Sequence, residues 1–489
     1  MGQIFSSRRP DCLPQKSEPA GSSSDTLPED IACSKGISLE ALSTLTKAKG
    51  HYYYPNDGPR ILDACGGAGV ACIGHGRKEI IKAAADQMKE CSYVSYAHFK
   101  TNAVQQLSEW LIESTGGAMQ KVYLLSSGSE AVEAALKLSR EYHIWRGEPQ
   151  RVNFISRSES YHGTSTPTLP LFLPYQANLL PALGSLSASG HHTRRAPYSP
   201  LLSPSNFHKI PPCNPYRQPS SSPAEFLDAR IAEVEAEFQR LGPNTVAAVI
   251  VEPIVGAALG CVAPVPHYLS ALRSICHRHG ALLIFDEVMC GMSRTGTLHA
   301  WQSYPNSTPD MQTIAKGFAG GYLPASALLV GSTITSLMTS QNKTFTHGHT
   351  YQNHPVVAAV ALRVQKVVQE EGLLRNVQTQ GRLLERLLRE RLGRHRHVGD
   401  IRGKGLFWGV EFVKDRETKE PFEAERQVAM AVFRCAMKRH GVLVYAGQGC
   451  AGEGRGDHIM VMPAYDVTSR EIGKMVEKIA AAVEEVLGT

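Results

Sequence analysis

Residues 122–140 read VYLLSSGSEAVEAALKLSR. A short apolar run at 122–125 gives way to serines and a glycine, and a helical pattern of apolar positions follows over 130–142. A strand delivered directly into a helix through a small polar turn is the repeating unit of an α/β sheet. The junction 126–131 suits an anion: the first N–H groups of a helix lack intrahelical acceptors, the positive end of the helix dipole lies there, and Gly128 lets a phosphate approach the backbone. The same residues read equally well as a plain N-cap at Ser129 with a glutamate in the first turn.

Working outward, the runs 152–155, 246–251, 282–285 and 328–330 are apolar on both faces, as in strands covered from both sides. Helical patterns at 224–240 and 268–279 separate several of them, which predicts a mainly parallel sheet with helices on both faces. After Pro355 the pattern changes. Two helices, 356–372 and 373–392, precede strand-like 405–412, helical 424–440, strand-like 442–445 and 458–462, and a terminal helix from Ser469. That order suits a separate α+β body, and no internal repeat is visible. A Pro/Ser/His-rich stretch at 185–223 lacks periodicity and reads as a surface excursion or an active-site border.

Composition narrows the function classes. The chain has 489 residues, 42% of them apolar and 20% charged, which is ordinary globular usage. A net charge of +6, with basic residues interspersed among acidic ones, excludes a nucleic-acid-binding stripe. The 11 cysteines are scattered without a CxxC pair, so no metal site is expected and the thiols read as reduced. No run approaches the roughly 20 apolar residues of a transmembrane helix, and no signal peptide is evident. A soluble, cytoplasmic protein is expected. Residues 1–6, MGQIFS, match the N-myristoylation pattern, which would put an acyl chain on Gly2 and give weak membrane attachment.

Three further segments carry chemistry. Asp286 ends the apolar run 282–285, where ligands bind in open α/β sheets. Burial there calls for a cationic partner such as a protonated ring nitrogen, although a metal-binding or helix-capping aspartate fits too. Lys316, in IAKG, lacks neighbouring charges, and burial would lower its pKa towards a nucleophilic amine. Tyr161-His162-Gly163 follows the run 152–155 and offers an aromatic face, as cofactor platform or as core packing.

In this order the motifs resemble the class III aminotransferases, pyridoxal-phosphate enzymes of fold type I. The resemblance is carried by GGAGVACIGHG at 66–76, SSGSEAVEAALKLSR from Ser126, YHG from Tyr161, VEPIVG from Val251, FDEVMCGMSRTG from Phe285, PDMQTIAKGFAGGYLP from Pro309, THGHTYQNHP from Thr346 and RGKGLFWGVEF from Arg402. It implies a large domain with a seven-stranded-type, mainly parallel sheet flanked by helices, plus a smaller α+β domain. The boundaries are a flexible tail at 1–36, the first part of the small domain at 37–95, the large cofactor-binding domain at 96–355 with its variable excursion at 185–223, and the C-terminal part of the small domain at 356–489.

The resemblance also implies pyridoxal 5′-phosphate held as a Schiff base on Lys316, with Lys316, Asp286 and Glu252 catalytic. Gly128 and Ser129 would bind the phosphate, Tyr161 and Val288 would sandwich the ring, and His162 would complete the cofactor site. Arg402 would grip a substrate carboxylate. Thr350 would reach the phosphate of a second subunit, making a homodimer with shared active sites. Substrates would be an amine or ω-amino acid donor and a keto acid acceptor. Ser293 stands where the family commonly has glycine, and Gln352-Asn353 replace smaller residues. Aminomutase, racemase or decarboxylating dialkylglycine-type chemistry would use the same lysine and aspartate. A dinucleotide-dependent dehydrogenase is disfavoured because Cys72 occupies the third glycine position after Gly67 and Gly69.

Overall fold

The computed structural model describes residues 44–165, 184–218, 220 and 222–489. The acylation reading at Gly2 and the 1–36 tail lie outside the described residues.

Seven strands form the central sheet, in the spatial order Met119–Leu125, Ser326–Gly331, Met311–Ile314, Leu282–Asp286, Val246–Val251, Asn153–Arg157 and Phe207–Ile210. Ser326–Gly331 runs antiparallel to both neighbours, and the other pairings are parallel. Strand alternation divides the core into two layers. Ala248, Ile250, Leu282 and Ile284 pack with Ala131, Ala135 and Leu138 of the Gly128–Trp145 helix. Their neighbours Val249, Val251, Leu283 and Phe285 pack with Phe226, Val234, Leu269 and Leu272 of the Pro223–Leu241 and Tyr268–Arg278 helices. A period of two along each strand thus explains why these runs are apolar throughout.

The C-terminal body is a four-stranded antiparallel sheet of Val398–Lys404, Phe407–Phe412, Arg455–Val461 and Tyr445–Gly452, in that spatial order. The Leu373–Leu392, Val428–Lys438 and Ser469–Leu487 helices cover it. Leu62, Cys72 and Ile80 share its core, and Ile61–Asp63 pairs in parallel with Val442–Leu443. Among the described residues no helix is long and apolar enough to cross a membrane.

Three features depart from the sequence reading. The strand Met311–Ile314 escaped it because half of its four residues, Gln312 and Thr313, are polar, yet all four are buried. The 185–223 stretch is not wholly a surface excursion. Ser185–Ala188 is buried, and Phe207–Ile210 is the edge strand of the large sheet. Its serine hydroxyls find partners, Ser189 donating to the Gly163 carbonyl and Ser187 accepting from the Ser203 N–H, which makes burial tolerable. Finally, the helix read as 424–440 is interrupted at Gln427, whose φ is 44°, and runs continuously only over Val428–Lys438.

Candidate active site

Seven of the sequence-identified residues line one cavity of about 270 Å³: Gly128, Ser129, Tyr161, His162, Asp286, Val288 and Lys316. The cavity lies beyond the carboxyl ends of the Met119–Leu125, Asn153–Arg157, Leu282–Asp286 and Met311–Ile314 strands, the binding crevice of such sheets.

The turn after Met119–Leu125 is built by Ser127 rather than Ser129. Ser127 is the N-cap: its hydroxyl accepts the Glu130 N–H, and the Glu130 carboxylate accepts the N–H groups of Ser126 and Ser127 at 3.0 and 2.7 Å. Gly128 and Ser129 are therefore the first helical residues, whose N–H groups have no intrahelical acceptor. A Cβ on Gly128 would stand 2.9 Å from Val288 Cγ1, so only glycine lets the turn close against that side chain. The Ser129 hydroxyl accepts the Thr164 N–H at 3.1 Å and ties the turn to the Tyr161-His162-Gly163 loop.

Asp286 is 3% exposed. One carboxylate oxygen accepts from His162 Nδ1 at 2.8 Å, and the other accepts the Thr313 hydroxyl and the Val288 N–H, each at 3.1 Å. The next residue faces away: Glu287 accepts the N–H groups of Ala300 and Trp301 and the Gln312 amide, and burial pushes its carboxyl up to about 8. His162 Nε2 is buried without a partner among the described residues.

Lys316 follows the Met311–Ile314 strand at φ 48°, a left-handed conformation that costs a non-glycine residue roughly 1–2 kcal/mol. Burial pushes its ammonium down to about 8, against the opposing pull of the Asp286 and Glu252 charges. The cavity thus holds a strained, poised amine opposite a rigidly held carboxylate, with an anion-accepting helix start beside them.

Three sequence-identified residues stand elsewhere. Glu252 accepts the N–H groups of Tyr161 and Gly256 at 3.0 and 2.9 Å, so it braces the Tyr161 loop and does not line the cavity. Burial, reinforced by the Asp286 charge, raises its carboxyl pKa. Arg402 does not line the cavity either. Its guanidinium pairs with Asp400 and Glu411 and donates to the carbonyls of Leu259 and Gly260, partners that compete with the substrate-gripping role expected of it. These partners take most of its five N–H donors. Thr350 is exposed and away from this chain's own cavity, its carbonyl accepting the Tyr93 hydroxyl. Thr313, which the sequence reading passed over, faces Asp286 through the register that pairs the two residues across neighbouring strands.

The family model of the class III aminotransferases matches residues 37–483. An aminotransferase of Gibberella zeae is 39% identical over 88% of this chain and 82% of its own length. The chloroplastic gamma aminobutyrate transaminase 3 of Solanum lycopersicum is 31% identical, covering 91% of this chain and 81% of its own length. Among solved structures, an amine transaminase from an uncultivated Pseudomonas species, in its pyridoxal-phosphate-bound form, superposes with a TM-score of 0.82 at 30% identity, covering 94% of this chain and 98% of that one.

Proposed function

The chain belongs to the class III aminotransferases, pyridoxal-phosphate enzymes, and from that membership we propose that it moves an amino group from an amine or ω-amino acid donor to a keto acid acceptor, with the cofactor seated in the Lys316 cavity. The observation that carries this reading is the convergence of Lys316, Asp286 and the Gly128-Ser129 helix start on one cavity.

The residues present fit the cofactor. The N–H groups of Gly128 and Ser129 at the helix start would bind its phosphate, and glycine at 128 lets that turn close against Val288. Tyr161 and Val288 would flank its ring, and Asp286 would face the ring nitrogen. When bound, pyridoxal phosphate supplies a conjugated ring that draws off the electron pair left when the substrate carbon loses its proton.

This chain's own residues do the rest. The Asp286 carboxylate is fixed by its three donors, so it presents negative charge without reorienting. The Lys316 amine, poised near neutral pKa, serves as nucleophile and as the carrier of the proton at the substrate carbon. Glu252 acts as a positioning residue through the Tyr161 loop.

We further propose a cytoplasmic homodimer with shared sites, in which Thr350 reaches the phosphate bound by the partner. Support comes from the exposed Tyr351 beside Thr350, which with Leu107, Leu124 and Phe318 lines an apolar cavity of about 430 Å³, and from the exposed Phe99, which shares a second cavity with Asn353. The test of function follows both half-reactions. The purified protein should consume one keto acid per amine converted, and Lys316→Ala should still bind pyridoxal phosphate but lose turnover. Amine conversion without consumption of a keto acid would point to an aminomutase or racemase instead, and release of CO2 from a dialkylglycine would point to the decarboxylating chemistry, which still consumes a keto acid.

A further inference from the structure

The arginines around the Lys316 cavity differ in what their guanidinium groups touch. Arg157 donates to the Glu252 carbonyl, Arg294 to the carbonyls of Leu406 and Pro463, and Arg402 to the groups described above. Arg157, Arg294 and Arg402 all hold parts of the fold together.

Arg194 is different. It is half-buried, with its guanidinium carbon 4.4 Å from the centroid of the Tyr161 ring, and its Nη2 donates to the Tyr445 hydroxyl at 3.1 Å. It makes no ion pair among the described residues. A guanidinium carries five N–H donors in one plane, and this single hydrogen bond uses one of them. Tyr161 lines the cavity, while Tyr445 comes from the C-terminal antiparallel sheet, so Arg194, not itself a lining residue, packs on the cavity wall where the two bodies meet. Its charge also reaches the cavity, where it adds to burial in lowering the Lys316 pKa.

We propose that Arg194 is the substrate-anion receptor of this site, taking the carboxylate of the keto acid or of a carboxylated amino donor in a bidentate fork. The proposal rests on the transaminase reading above and adds to it the residue that separates carboxylated from neutral substrates. A planar guanidinium matches a carboxylate with two parallel N–H donors, which lysine cannot do. Stacking on Tyr161 and the bond to Tyr445 hold the plane before substrate arrives, so little side-chain freedom remains to be lost on binding.

The experiment compares wild type, Arg194→Gln and Arg194→Lys, each loaded with pyridoxal phosphate, using one amine donor and either pyruvate or propanal as acceptor. Arg194→Gln should lose roughly 30-fold more in kcat/KM for pyruvate than for propanal, mainly through KM. Arg194→Lys should fall between it and wild type. A second readout is independent of turnover: calorimetric binding of propionate, an inert carboxylate, should be measurable for wild type and lost in Arg194→Gln. Equal losses on both acceptors, or propionate binding retained without Arg194, would overturn the proposal. If Arg194→Gln does not fold, the lysine variant decides by the same pyruvate-to-propanal ratio. A wild type that turns over neither acceptor overturns the transaminase reading instead, and propionate binding then still decides for or against Arg194.

Discussion

His162 Nδ1 lies 2.8 Å from Asp286 Oδ2, a contact between a loop residue and a strand end separated by 124 positions. Because a carboxylate can only accept, this nitrogen carries the hydrogen. With Thr313 and Val288 on the other oxygen, the carboxylate is held in one orientation before any ligand arrives.

Asp286→Asn keeps the shape of this cluster and removes its charge. The expected loss in kcat is about 100- to 1,000-fold, the scale on which removing one preorganised electrostatic group acts. Steady-state kinetics with saturating cofactor check it, and a loss under about tenfold would show that the charge does not face the reacting system.

With its pKa at about 8, Lys316 is mostly protonated below that pH and mostly a free amine above it. The rate at which cofactor-free protein takes up pyridoxal phosphate is expected to rise with pH and level off above about 8. An unperturbed lysine would keep gaining up to about pH 10.4. Stopped-flow absorbance across the pH range separates the two profiles.

Arg402 pairs with the partly exposed Asp400 and, together with Arg217, with the buried Glu411, and it is not among the residues that line the cavity. Arg402→Met should therefore lower stability by about 2 kcal/mol, because Glu411 keeps Arg217 but loses its second cation and the Leu259 and Gly260 carbonyls lose their donor. The KM for pyruvate relative to propanal should stay as in wild type. Denaturant titration and paired kinetics check both halves, and a selective rise in the pyruvate KM would restore Arg402 to substrate binding.

Ser293 has a φ of 73°, is fully buried, and its hydroxyl has no partner among the described residues. The position suits glycine, which adopts that backbone without strain and brings no polar group to bury. Ser293→Gly is expected to stabilise the protein by about 1 kcal/mol, the relief of strain outweighing the added freedom of the unfolded chain. An unfolding midpoint that falls would contradict this.

The sequence by itself determined the elements whose signals are local. Apolar runs marked Val246–Val251 and Leu282–Asp286 as buried strands because both of their faces are covered. The serine- and glycine-rich turn marked the start of the Gly128–Trp145 helix, Asp286 was marked as the end of an apolar run, and Lys316 as a lysine without charged neighbours. What only the tertiary structure decided is where polar groups find their partners. Met311–Ile314 is a strand because its neighbours bury and pair it, although half of its residues are polar. Arg402 matched a ligand-gripping arginine by motif, yet Glu411 and the carbonyls of Leu259 and Gly260, the latter more than 140 positions away, take most of its donors. Arg194, from a stretch without periodicity, is held between Tyr161 and Tyr445, which come from distant parts of the chain. Periodicity and capping are written along the chain, whereas the satisfaction of a buried charge depends on distances in space, and those exist only once the chain has folded.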